Sequence, residues 1–216
     1  MRHDKKNSWR VPSTIALIGF TVFLSIIFLM HFIHPELSFS SHYVSEYANE
    51  EYGWILNIAI IGNLIGSIAF IIAVYRAYPP PYRSMISIII YGIATFAILT
   101  NFFPMDPPGE SVTLSGQIHN MGGFIGGLAG LVFFIIHSIR LHSFGVLQGF
   151  YRILLILAIF GFIMFVVVLI AAIYADGIIG IVQRIYVLVL MSWLIIAANG
   201  IRTEALVLKN LSICDQ

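Results

Sequence analysis

The chain reads as an all-α protein, a six-span transmembrane helical bundle with both termini cytoplasmic. Three observations predict this. Charged residues make up only 10% of the 216 and hydrophobic ones 59%, against about 25% charged in an ordinary soluble domain, and the mean hydropathy is +0.95. Six apolar runs are each long enough to cross a hydrocarbon core of about 30 Å, which takes about 20 helical residues. Lysine and arginine gather in alternate connections. A net charge of +1, with the basic residues dispersed, gives no nucleic-acid signal, and the apolar composition makes membrane lipid the expected partner. The lone cysteine, Cys214, permits no intrachain disulfide.

In order, the runs are Pro12 to Ile33, Trp54 to Tyr75, Ser84 to Phe103, Ser115 to Ile136, Ile153 to Tyr174 and Ile181 to Ile201. Residues 1–11 form a basic cytoplasmic tail, 12–201 the membrane domain and 202–216 a cytoplasmic C-terminal tail. The first run is longer than the 7–15 apolar residues of a signal peptide and reads as an uncleaved anchor. Arg2, Lys5, Lys6 and Arg10 precede it, Arg76 and Arg83 join spans two and three, Arg140 and Arg152 flank the next inward connection, and Arg202 and Lys209 follow span six. By the positive-inside rule these are cytoplasmic, which predicts a multi-pass protein of the cell membrane. Arg184 is the exception. Glu36, Glu46, Glu50, Glu51, Asp106, Glu110 and Asp176 all fall on the opposite, outward side.

The inward linker Pro79-Pro80-Pro81 is tight and carries no chemistry. Outward, the connection from His34 to Gly53 is long and aromatic enough to lie over the bundle, and Pro104 to Leu114 is a proline-stiffened turn leading into span four. That span carries Gly122, Gly123, Gly126, Gly127 and Gly130. In a membrane helix, small residues four apart permit close packing of neighbouring helices. At 100° per residue His119 shares a face with Gly123, Gly126 and Gly130, so the imidazole is expected to point into the bundle. Span two has a similar stripe in Asn57, Gly62, Asn63, Gly66 and Ser67, read first as close packing with Asn63 bonded across it.

Ionisable groups inside a membrane are costly and therefore mark candidate sites. His119 and Asp106 are the candidate catalytic or proton-handling pair, since a carboxylate accepting from one imidazole nitrogen leaves the other for a ligand, proton or metal. Arg184 is expected to pair with Asp106 or Glu46, or to clamp an anionic head group, with Gln183, Ser45 and Tyr47 beside it. His31, His34, His42 and His119 supply nitrogen donors for a zinc site, although no HExxH or CxxC is present.

The His34-Pro35 exit from span one, Tyr43-Val44-Ser45-Glu46-Tyr47, Trp54 and Asn57, Phe103-Pro104-Met105-Asp106, Gly116-Gln117-Ile118-His119, and Gln183-Arg184 with Trp193 together resemble the six-span family catalogued as domain of unknown function 998. The resemblance covers nearly the whole chain and implies the fold and the outward address of the site. It implies a Glu-Arg pair where this chain has Gln183-Arg184, and it implies no activity. The residues leave three readings. One is a sensor, binder or permease whose outward pocket takes a lipid head group or small polar ligand. The second is a membrane-embedded hydrolase or transferase acting on lipid, with a metal as a possible helper. The third is a polar staple holding helix ends together without a ligand.

Overall fold

A computed structural model describes residues 8–78, 83–107, 109–143, 150–174 and 176–214, without the side chains of 176 and 204–214. The linker Pro79-Pro80-Pro81 lies outside these residues. Six helical segments are long and apolar enough to span a membrane, the third of them Met85–Phe102; the α-helices are α1 (Arg10–Ile33), α2 (Trp54–Ala77), α3 (Met85–Ala97), α4 (Leu114–Ser143), α5 (Tyr151–Tyr174) and α6 (Ile179–Cys214). No strand occurs among the described residues. Helix is the expected outcome, because a spanning segment must satisfy every backbone polar group within itself.

Three boundaries differ from the sequence expectation. Helix α4 continues past the expected end at Ile136 as far as Ser143. The third span is α-helical for only 13 residues, begun by the Ser84 hydroxyl accepting from Ser87 N–H. It continues as a 3-10 helix, Ile98–Phe102. Because 3-10 turns rise about 2.0 Å per residue against 1.5 Å in an α-helix, the composite still reaches about 30 Å. The sixth helix runs through the segment expected to be a tail, as far as Cys214.

Neighbours around the bundle follow the order α2, α1, α6, α5, α4, α3, and the ring closes through its thinnest seam, between α3 and α2. The α1–α2 contact is the most intimate. A Cβ on Gly19 would collide with the Gly62 carbonyl oxygen and lie 2.9 Å from Gly66 Cα, so only hydrogen fits between the two backbones.

One half of the ring is filled. At the end bearing Arg10, Arg76 and Arg140, Phe20, Phe70, Tyr91, Phe133 and Phe134 surround a fully buried Trp193. Its indole lies parallel to Phe134 at 4.0 Å between ring centres and donates to Ser138 Oγ at 3.2 Å. The other end carries the acidic connections. There the chain between α1 and α2 lies against the bundle with a short 3-10 helix, Val44–Asn49.

Candidate functional site

The residues singled out in the sequence do collect at the acidic end, but as two knots with partners other than those expected. The first knot is centred on Arg184. Its Nη1 donates to the carbonyl oxygens of Phe39 at 3.0 Å and His42 at 2.8 Å, and its Nη2 to the Tyr47 hydroxyl at 2.9 Å. The guanidinium also sits 4.7 Å from the centre of the Phe39 ring. Neither ion pair expected of Arg184, with Asp106 or with Glu46, forms. Glu46 instead accepts from Tyr43 N–H at 2.6 Å, capping the 3-10 helix to which it belongs. Gln183 Oε1 accepts from Val44 N–H at 2.6 Å. A carboxylate in that position could accept the same bond, which gives the Glu-Arg expectation a structural basis here. Tyr47 is fully buried, and Ser45 Oγ donates to Met105 Sδ at 2.7 Å.

The second knot caps α4. Asp106 accepts from Thr113 N–H at 2.9 Å and from Thr113 Oγ at 2.5 Å, while Thr113 Oγ in turn accepts from Gly116 N–H at 3.2 Å. The Thr113 hydroxyl first, and its backbone amide next, hold the Asp106 carboxyl below its ordinary range. A Cβ on Gly116 would run into that carboxylate. His119 donates from Nδ1 to the Phe103 carbonyl at 2.9 Å, since a carbonyl can only accept. The expected Asp106–His119 bond is therefore replaced by two separate bonds that tie the loop before α4 to its first turns.

The histidines do not converge either. His31 packs on the Phe39 ring, and His42 meets Ser41 Oγ at 3.3 Å. Among the described residues, the group that brings metal-ligating atoms close, within 4.8 Å of one another, is His34 with Glu36 and Glu50. The His34 ring is buried and its Nδ1 is 2.7 Å from Glu36 Oε1. Glu36 lies below its ordinary pKa through a bond to its own backbone amide first and to His34 second.

Sequence reasoning missed a chamber of ≈180 Å³ along the ring axis, between the aromatic fill and the acidic end. The glycine face of α4 lines it from Gly122 to Gly130, opposite polar groups of α2, α3 and α6. Several of these groups are already paired. Tyr91 donates to Ser67 Oγ at 3.1 Å, Thr95 Oγ to the Tyr91 carbonyl at 2.9 Å and Asn101 Nδ2 to the Ile98 carbonyl at 3.0 Å. Two are not. Asn63 Oδ1 and the Tyr186 hydroxyl are buried without a hydrogen-bond partner, although Asn63 is only 9% exposed. This corrects the expectation that Asn63 bonds across a helix contact. His119 does not line the chamber, so it does not share the inward role of the glycines.

Six apolar helices around an axis that holds uncharged polar groups define a multi-pass α-helical membrane protein. The chain belongs to the family described as protein of unknown function (DUF998), which matches residues 17–199. No curated protein and no solved structure matches it.

Proposed function

We propose that this protein is a binder, sensor or carrier in the cell membrane that takes a small ligand into the axial chamber from the outward, acidic end. One observation carries the reading: Asn63 and Tyr186, two of the side chains that line the chamber, each keep a buried polar atom without a hydrogen-bond partner, in the wall of that space. An unmet buried polar atom costs about 1–3 kcal/mol, a debt that a bound molecule carrying matching groups removes. The glycines of α4 supply the room. Gly123 has nothing within 4 Å of where a Cβ would stand, so it leaves space that no neighbouring helix uses.

The outer knots support the staple reading for the residues that the sequence made candidates. Arg184, Asp106 and His119 each bind backbone or hydroxyl groups of a connecting loop, and together they fix the cover over the bundle. The hydrolase reading draws no support from this arrangement, in which Ser45, His119 and Asp106 engage Met105, Phe103 and Thr113 rather than one another.

The test compares small molecules that co-purify with the wild type and with Gly123→Phe from the same membranes, by mass spectrometry. The expected result is a species present with the wild type and depleted in the variant. Identical profiles from two equally folded proteins would refute the chamber as a binding site.

A further inference from the structure

Resting on that reading, we infer that the ligand is an uncharged amphiphile whose head carries hydroxyl groups, a glyceride-like or alcohol-like molecule rather than a phospholipid or an ion. Three independent observations lead here.

The first is charge. None of the described residues lining the chamber is Asp, Glu, Lys, Arg or His. A charged head brought into such a space would lose its hydration without gaining a counter-ion. The guanidinium nearest in role, that of Arg184, is committed to two carbonyl oxygens and a phenol. The expected clamp for a phosphate is therefore already occupied by the protein itself.

The second is hydrogen-bond chemistry. Asn63 Oδ1 needs a donor, and the Tyr186 hydroxyl can donate or accept. The two ends of an amide side chain are assigned from their surroundings, and here no protein group settles the orientation. A hydroxyl serves in either case, because it donates to the oxygen or accepts from the nitrogen. A ketone or ether matches only one of the two.

The third is size and access. A cavity of about 150 Å³ lined by apolar side chains holds benzene, so a space of ≈180 Å³ admits a head of about the same number of heavy atoms, which is glycerol-sized. The wall at Gly123 is exposed. An acyl or prenyl tail leaving past Gly123 stays in an apolar environment while the head reaches Asn63.

The experiment follows thermal unfolding of the full chain in detergent with three probes that share one oleoyl chain: monooleoylglycerol, its anionic phosphate ester and its zwitterionic phosphocholine ester. Monooleoylglycerol is expected to raise the wild-type Tm in a saturable way, the two esters to leave it unchanged, and Gly123→Phe to abolish the shift. Asn63→Leu is expected to weaken the apparent affinity about tenfold, the value of one hydrogen bond to a buried group. Tyr186→Phe keeps the ring and provides the same test should Asn63→Leu fail to fold.

If the esters shift Tm as strongly as the neutral probe and Gly123→Phe abolishes all three shifts, the chamber binds ligand but the uncharged class is wrong. Full affinity in both Asn63→Leu and Tyr186→Phe removes the hydroxyl assignment. If no probe shifts the wild type, the inference fails; should Gly123→Phe also melt and co-purify like the wild type, the chamber holds only water and the underlying reading fails with it.

Discussion

Replacing Arg184 by Gln tests how the connection between α1 and α2 is held. The substitution removes three hydrogen bonds, to the carbonyls of Phe39 and His42 and to the hydroxyl of Tyr47. The carbonyls lie near the surface and can turn to water. The Tyr47 hydroxyl belongs to a fully buried side chain, and leaving it unpaired costs about 1–3 kcal/mol. Adding about 1 kcal/mol for the lost charged bonds and the ring contact gives about 2–4 kcal/mol for local opening of the segment. Hydrogen exchange of a peptide covering residues 39–50, read by mass spectrometry in detergent, should then quicken by about 30- to 700-fold. Helices α2 and α5 should exchange as before. In a Tyr47→Phe background the same Arg184→Gln change should cost only about 1 kcal/mol, because the stranded hydroxyl is gone. Unchanged exchange at 39–50 in Arg184→Gln would show that the guanidinium contacts do not secure the loop.

Acid should loosen the start of α4 by a route that passes through Asp106. Its folded pKa lies below the ordinary value of 3.8, so its contribution is complete above that value and is lost as the pH falls through the lower folded value. Melts at pH 7 and pH 3 should show a smaller acid-induced loss for Asp106→Asn than for the wild type, and equal losses would refute the capping role. Two glycine replacements should have opposite signs. Gly19→Ala forces α1 away from the Gly62 and Gly66 backbones and should lower Tm, whereas Gly92→Ala, with nothing within 4 Å of its new methyl, should be neutral or stabilising by up to about 1 kcal/mol. A Gly19→Ala protein as stable as the wild type would contradict the close crossing.

The membrane spans were legible because a long apolar run has few other folded outcomes, and the positions of Pro12 to Ile33 and Trp54 to Tyr75 agree with α1 and α2 within two residues at each end. The 3-10 continuation of α3 was not, since the polar pair in it, Thr100 and Asn101, reads in sequence as the ordinary end of a span, and only the structure shows both side chains bonded to carbonyls three residues back. That Arg184, Glu46 and Tyr47 gather at one end of the bundle was also readable, but their partners were not. Side chains suggest ion pairs to a reader of sequence, whereas Arg184 found backbone carbonyls, which every residue carries and no pattern advertises. The chamber escaped for a related reason. Gly122 and Gly123 look alike in sequence, yet a Cβ on Gly122 would strike Thr100 and one on Gly123 would touch nothing, a difference decided by how α4 is rotated against α3.

The face-to-face pair of Trp193 and Phe134 has a consequence for traffic. With that pair closed, the stacked rings floor the chamber on the side of Arg10, Arg76 and Arg140, so under the proposed reading a ligand taken in from the acidic end goes no further. A path through to the other rim would require the indole to leave its partner and its bond to Ser138, and the rings of Phe70 and Phe133 packed on it to move as well, so that plug opens as a unit or not at all.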